Sequence, residues 1–258
     1  MIVRTEKERQ ALREGGRLLA NILHQVANAA GPGISTFALD AQARAAIAAA
    51  GAEPAFLGYH GFPAALCTSI NTKVVHGIPS KEEILQEGDI LSIDLGIRFR
   101  GLFTDMAITV GIGNIPDEAQ RLMTATRAAL DRAITAARSG ATVGDIGSAI
   151  QTSIEEQGYN VVRDLVGHGV GRKLHEEPPL PNFGIAGHGT ILREGMVLAI
   201  EPMVTAGDWH VKTLPDEWSV VTVDGSLAAH FEHTLIVTGS GGEVVTRQEI
   251  DTHDCPRH

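Results

Sequence analysis

Four carboxylates in this sequence of 258 residues lie inside segments that are otherwise apolar. Asp94 is found in LSIDLGI and Asp105 in LFTDMAI. Glu201 follows in LAIEPMV and Glu232 in HFEHTLIV. Any one of them, taken singly, could belong to a solvated strand face, but a carboxylate buried alone costs several kcal/mol or takes up a proton. A shared cation keeps all four ionised, so the group predicts a metal site.

The segment GHGVGRKLHEEP, residues 167–178, carries two histidines among glycines. His168 stands between two glycines, which would let its imidazole approach a crowded site closely. Four carboxylates and one imidazole form an oxygen-rich ligand set that suits divalent Mn, Fe, Co or Zn. The number of ligands is natural for two ions about 3.5–4 Å apart. A phosphate-binding glycine loop is the weaker alternative, because the lysine pattern of such loops is missing.

Composition narrows the classes of partner. The net charge of −10 argues against nucleic acid or an anionic membrane surface as the main partner. No apolar run approaches the roughly 18 residues of a membrane span, and the start MIVRTEKERQ lacks the apolar core of a secretory signal. Cys67 and Cys255 are interpreted as reduced thiols, which predicts a cytoplasmic protein.

An internal repeat relates two parts of the chain at an offset of 107 residues. LQEGDILSID (85–94) and LREGMVLAIE (192–201) share seven-residue-spaced features of one pattern, L-x-E-G-x-x-L-x-I, and each ends on a carboxylate. The same offset relates two glycine pairs that bracket predicted helices: Gly33 with Gly140, and Gly51 with Gly158. Ser35 or Thr36 is the predicted N-cap of the first helix, and Thr142 that of the second.

The repeat predicts one catalytic domain, residues 1–258, built from two similar halves. The halves are expected at about 1–113 and 114–240, each with helices followed by strands, and a peripheral C-terminal tail is expected at 241–258. Residues 89–113 alternate as a β-hairpin does. A turn centred between Phe99 and Arg100 would place Asp94 directly opposite Asp105, although the turn signal is weak enough for the register to slip.

The second half is expected to present Glu201 and Glu232 on a matching pair of strands. The offset there grows from 107 to 127, so about twenty residues are inserted between the two strands. The insert contains GDWHVKTLPDEWSV and is predicted to be a functional loop.

These motifs together resemble methionine aminopeptidase. The likeness rests on GHGVGRKLHEEP, on the spacing of DLGIRFRGLFTD, on EGMVLAIEP and on HFEHT, and it extends to about residue 240. The chain is most similar to the type I, bacterial-style form, because an N-terminal zinc-binding extension and a long insert between His168 and Glu232 are missing. The resemblance implies the pita-bread fold, an α/β (α+β) fold with two pseudosymmetric halves, antiparallel β-hairpins inside and helices outside.

The resemblance also implies roles for individual residues. The implied metal ligands are Asp94, Asp105, His168, Glu201 and Glu232, with Asp105 and Glu232 bridging. His175 corresponds to the histidine that contacts the substrate carbonyl oxygen, and His76 to a second histidine near the scissile amide. Glu201 is also expected to shuttle a proton. The implied methionine pocket consists of Tyr59, Phe62, Cys67 and Trp218. Phe56, Phe62 and Leu174 depart from the family pattern, which leaves the pocket shape and the preference at the second residue open.

The expected function is metal-dependent removal of the N-terminal methionine from nascent proteins and peptides. Hydrolysis would use a hydroxide that bridges two divalent ions, drawn from Co, Mn, Fe or Zn. The resemblance implies a cytoplasmic monomer that meets its substrates near the ribosome, with no specific nucleic acid and no membrane as partner. Two alternatives stay open on the same fold: a proline-directed metallo-exopeptidase and a non-catalytic binding protein.

Overall fold

The computed structural model describes residues 1–248. The helices are α1 Glu6–Ala29, α2 Thr36–Ala49, α3 Asp117–Ala136 and α4 Val143–Glu155, with a short 3-10 helix at Tyr59–Gly61. The strands are β1 Glu53–Pro54, β2 Leu66–Ile70, β3 Lys73–Val75, β4 Ile90–Phe99, β5 Leu102–Gly111, β6 Asn160–Val161, β7 Val166–Gly169, β8 Glu176–Pro181, β9 Val197–Ile200, β10 Met203–Thr205, β11 Val211–Thr213, β12 Val220–Thr222, β13 Ala228–His230, β14 Glu232–Val237 and β15 Gly242–Val244. None of the helices in this described part has the length and apolar character needed to cross a bilayer.

A nine-stranded antiparallel sheet forms the centre of the fold, with the strand order β1-β4-β5-β14-β9-β7-β8. β2 pairs with β4, and β15 pairs with β14. The two halves of the chain meet where β5 pairs with β14. Ile93, Leu95 and Ile97 of β4 are fully buried in the main core, which also contains Leu19 and Leu23 of α1. The helices therefore cover one face of this sheet, while the alternate residues of β4 are left for the other face.

The two halves repeat at the predicted offset of 107 residues. α2 begins at Thr36 and α4 begins at Val143, and the side chains of their N-caps, Ser35 and Thr142, accept hydrogen bonds from backbone amides in the first turn. The amide of Gly33 donates to the Leu85 carbonyl, and the amide of Gly140 donates to the Leu192 carbonyl. Both glycines have φ values near +87°, in the left-handed region that favours glycine. The matched glycines thus mark the same backbone turn in each half.

The β4–β5 hairpin has a different register from the predicted one. Its turn is centred on Arg100 and Gly101, both with positive φ, as a two-residue hairpin loop requires. Phe99 therefore pairs with Leu102, Asp94 with Ala107, and Asp105 with Gly96. The prediction that Asp94 and Asp105 lie directly opposite each other was wrong by two residues. The two acids instead share one face as diagonal neighbours, which leaves room between their carboxylates.

The first residues after position 240 belong to the sheet, although the sequence placed them in a peripheral tail. Gly242–Val244 form β15 and pair with β14. Val245 and Thr246 are buried, and the Thr246 hydroxyl accepts a hydrogen bond from the Thr234 amide. A Cβ atom at Gly16 of α1 would lie 2.2 Å from the Val245 carbonyl oxygen, so α1 packs directly on this segment. The remainder of the expected tail, residues 249–258 with Cys255, lies outside the described residues.

Replacing Gly16 with alanine tests this close approach. The Cβ atom would collide with backbone that cannot rotate away, so we expect Gly16→Ala to lower the free energy of unfolding by about 2 kcal/mol, although alanine has the better helix propensity. Gly31→Ala is the control, because a Cβ there meets nothing within 4 Å. It should change stability by less than about 0.5 kcal/mol. Urea unfolding measures both, and equal stabilities would contradict the packing of residues 245–246 on α1.

Candidate metal centre

Three of the predicted ligands lie on neighbouring strands of the large sheet. Ala107 of β5 pairs with Asp94 of β4 on one side and with Glu232 of β14 on the other. Because register partners project from the same face of a sheet, Asp94 and Glu232 flank the small side chain of Ala107. Asp105 lies two residues along β5 and therefore projects from this face too.

The other two predicted ligands come from the second half of the chain. Glu201 directly follows β9, and His168 of β7 pairs with Ala199 of that strand. A Cβ atom at Gly167 would lie 2.6 Å from the Ala199 carbonyl oxygen, and one at Gly169 would lie 2.3 Å from the Glu177 carbonyl oxygen. The two glycines that frame His168 thus let β7 fit tightly between its neighbours. This contact holds the imidazole at the sheet face that carries the acids.

The donor atoms of these residues converge in one cavity. One ligand atom from each of Asp105, His168 and Glu232 lies within 4.8 Å of the other two. His168 Nε2 is 3.9 Å from Asp105 Oδ2 and 3.6 Å from Glu201 Oε1. Asp94 lines the same cavity, whose volume is about 210 Å³. The structure therefore brings all five predicted ligands together.

The His168 ring is oriented to offer a lone pair to this cavity. Its Nδ1 lies 2.9 Å from the Gly169 carbonyl oxygen, an acceptor, so Nδ1 carries the proton and Nε2 is free to bind a cation. Burial, with a smaller contribution from His175, lowers the pKa of His168 to about 3. The ring is therefore neutral at physiological pH, which is the form that binds metals.

The carboxylates of the cavity need a positive charge close by. Asp94 Oδ1 and Glu232 Oε1 are buried without a hydrogen-bond partner among the described residues. Burial raises the pKa of both Asp105 and Glu201 to about 8, and the charge of Glu201 adds to the effect on Asp105. Burial and the neighbouring acids also raise the pKa of Asp94 and of Glu232. Unsatisfied oxygen donors and mutually repelling acids fit a site for divalent cations, which would hold these groups in the ionised form.

Two further predicted residues, His175 and His76, lie at the edge of the centre. The rings of His175 and His168 are 4.3 Å apart between centroids, and the Tyr59 hydroxyl is 2.9 Å from His175 Nδ1. Burial lowers the pKa of His175 and lowers that of His76 to about 4. His76 has a φ of +59°, an uncommon value for a residue with a side chain. Both neutral imidazoles thus border the cavity beside the acids.

The predicted pocket residues form an apolar wall next to the acids. Phe62 and Trp218 meet edge to face with their ring centroids 5.0 Å apart. Cys67 of β2 pairs with Asp94, and burial raises the pKa of its thiol, so it contributes a neutral apolar surface. Phe56 and Leu174, noted in the sequence as departures from the family pattern, are buried in the same cluster, and Tyr59 packs against it.

The predicted insert supplies Trp218 to this wall. β11 and β12 form a hairpin within the insert, and β12 pairs with β3, the strand that immediately precedes His76. Trp218 lies just before β12, with its ring 6.5 Å from that of His76. The insert therefore closes the pocket from the side opposite to β2.

Sequence reasoning missed His230 and left His60 without a role. His60 lines the cavity, next to Tyr59. His230 ends β13 and is 1% exposed, and its Nε2 lies 3.6 Å from Glu201 Oε2. The signal that could have found it is the two-residue spacing to Glu232 in HFEHT, since residues two apart in extended chain project to the same side.

Comparisons with known proteins agree with this geometry. The sequence profile of metallopeptidase family M24 matches residues 10–239. A methionine aminopeptidase of Clostridium acetobutylicum is 45% identical over 246 residues, which cover 95% of this chain and 98% of that protein. The methionine aminopeptidase of Thermotoga maritima has a crystal structure similar at a TM-score of 0.93 and 42% identity, covering 96% of this chain and all of that one. The chain therefore belongs to metallopeptidase family M24, and its predicted resemblance to methionine aminopeptidase is confirmed.

The same comparisons confirm the predicted pita-bread α/β fold. The prolidase of Pyrococcus horikoshii matches at a TM-score of 0.76 with 23% identity, covering 97% of this chain and 65% of that protein. At that identity the likeness shows the shared fold alone.

The raised carboxyl pKa values predict how stability depends on pH without metal. In the unfolded chain these acids ionise near pH 4, whereas Asp105 and Glu201 in the metal-free fold keep their protons up to about pH 8. The folded state then binds more protons, so its stability falls as pH rises. The buried histidines oppose this trend only below about pH 6.5, where unfolded histidines are protonated.

We therefore expect the free energy of unfolding of the metal-free protein to fall as pH rises from about 7 to 8. Saturating Mn²⁺ should remove the decline, because a bound cation favours the ionised acids. Urea unfolding in chelator and in Mn²⁺ measures both curves. A metal-free protein that is equally stable across this interval would show that the acids do not bind protons as described.

Proposed function

We propose that this chain hydrolyses the first peptide bond of peptides and proteins that begin with methionine. The observation that supports this proposal most directly is one cavity that joins five potential metal ligands to an apolar wall. A hydrolytic centre beside a pocket sized for one unbranched apolar side chain is what an exopeptidase for methionine requires. The family relationship supports the same reaction.

Asp94, Asp105, His168, Glu201 and Glu232 would hold the metal. We propose two divalent ions of Mn, Fe, Co or Zn, because five ligands with four negative charges exceed the need of one. Bound ions of this kind lower the pKa of water toward neutrality and polarise a carbonyl group. Asp105 and Glu232 are the candidates for bridging, since each contributes an atom to the tightest group of ligand atoms.

The remaining polar residues would act on the substrate directly. His175 would donate a hydrogen bond to the carbonyl oxygen as negative charge develops there. The contact between its Nδ1 and the Tyr59 hydroxyl leaves Nε2 for the substrate. Glu201 would take a proton from the attacking water and pass it to the departing amine nitrogen, and a carboxyl pKa near 8 in the metal-free state shows that its surroundings favour proton uptake. His76 would contact the amide on the side of the departing chain.

The apolar wall would select methionine at the chain terminus. Phe62 and Trp218 present ring edges and faces, with which a thioether makes favourable contacts. Cys67 and Tyr59 would complete the pocket, which Phe56 and Leu174 narrow from the opposite side. We also propose that the protein works as a cytoplasmic monomer on chains that emerge from the ribosome, a prediction carried over from the resemblance.

A peptide panel tests the proposed specificity. With Mn²⁺, Co²⁺ or Fe²⁺ present, the protein should release free methionine from Met-Ala-Ser and should leave Xaa-Pro dipeptides intact, because the pocket holds the methionine side chain. Liquid chromatography with mass spectrometry measures both products. Cleavage confined to bonds before proline would make the chain a proline-directed enzyme instead, and no cleavage of any peptide by the loaded protein would support the non-catalytic alternative.

The control variant for this assay is His175→Ala, which leaves all five proposed ligands in place. It should bind metal like the unsubstituted protein and release methionine roughly 10²–10³ times more slowly, the usual effect of removing one donor to a developing oxyanion. A His175→Ala protein with full activity would remove His175 from the mechanism.

A further inference from the structure

A third buried imidazole, that of His230, reaches the metal centre from the side away from His168. Its backbone is held by two hydrogen bonds with one hydroxyl group. The His230 amide donates to Thr109 Oγ1 at 2.9 Å, and that hydroxyl donates to the His230 carbonyl at 2.7 Å. His230 also pairs with Met203 of β10. The ring therefore starts from a fixed point next to Glu201, which lies two residues before Met203.

The His230 ring has no hydrogen-bond partner within the described residues. Both Nδ1 and Nε2 are buried and unpartnered. Native proteins rarely leave a buried donor unpaired, so such an atom calls for a physical explanation. The nearest charged atom is Glu201 Oε2, which lies 3.6 Å from Nε2, only slightly beyond hydrogen-bond distance.

The Glu201 carboxylate lies between two imidazoles. Its Oε1 is 3.6 Å from His168 Nε2, and its Oε2 is 3.6 Å from His230 Nε2. The two rings differ in what they can offer. His168 donates from Nδ1 to the Gly169 carbonyl and so presents a lone pair at Nε2, whereas His230 has nothing that fixes its proton on Nδ1. A neutral His230 can therefore carry its proton on Nε2, facing the carboxylate.

We propose that His230 is a positioning residue for the metal centre: its Nε2–H donates to Glu201 Oε2 and so directs Oε1 toward the ion bound by His168. A movement of a few tenths of an ångström closes the hydrogen bond. Carboxylate ligands of metals are in general held by such outer donors, and losing one typically weakens metal affinity about 10–100-fold. This inference rests on the proposed metal centre, and it gives a role to a residue outside the five proposed ligands.

Three substitutions at this position test the proposal. Glutamine can place an amide nitrogen where Nε2 lies, asparagine can place one only near Nδ1, and leucine removes the donor with little change in volume. Isothermal titration of each metal-free protein with Mn²⁺ measures the dissociation constant. We expect His230→Leu and His230→Asn to weaken binding about 10–100-fold and His230→Gln to restore most of the affinity. The thermal midpoint of each metal-free protein shows whether the fold is intact.

The outcomes separate this inference from the proposed function. Equal affinities in the unsubstituted protein and all three variants would overturn the role of His230 alone. An unsubstituted protein that binds no Mn²⁺ would overturn the metal centre and the inference together. If His230→Leu does not fold, the comparison of glutamine with asparagine still decides, because both are polar and only glutamine reaches the Nε2 position. Equal binding by those two variants would then contradict the proposal.

Discussion

The electrostatic repulsion among buried carboxylates is the constraint on which the rest of this structure depends. Asp94, Asp105, Glu201 and Glu232 are gathered in a cavity where burial penalises each charge and where the acids penalise one another. Such a group is tolerable either with bound protons or with bound cations. The neutral imidazole of His168, with its lone pair directed at the acids, favours cations. A purely structural cluster of protonated acids would have no use for that lone pair.

The duplicated fold explains how one cavity obtains four acids. Each half supplies a strand that ends near a carboxylate 107 residues from its counterpart, Asp94 in one half and Glu201 in the other. The halves join through β5 and β14, and this single strand pair brings Asp105 and Glu232 into the same neighbourhood. Glycines serve the same end, because a side chain at Gly96 would contact both Phe56 and Asp105. The backbone is thus packed closely enough to hold repelling groups in place.

Much of the site could be predicted because its signals are local in the sequence. The acids stand out against apolar neighbours, and His168 stands out between glycines. The hairpin register could not be predicted, since it depends on whether Arg100 adopts a positive φ, which its residue type does not indicate. The pairing of Gly242–Val244 with β14 and the contact of His230 with Glu201 are also invisible in the sequence, because both depend on how separate strands assemble.

Anomalous X-ray scattering from crystals grown with Mn²⁺ tests the central claim most directly. The account predicts two anomalous peaks about 3.5–4 Å apart, both within coordination distance of the carboxylates and one of them close to His168 Nε2. A map with no anomalous peak in the cavity, at a metal concentration that saturates related sites, would mean that the acids are held by protons, and the account would fail.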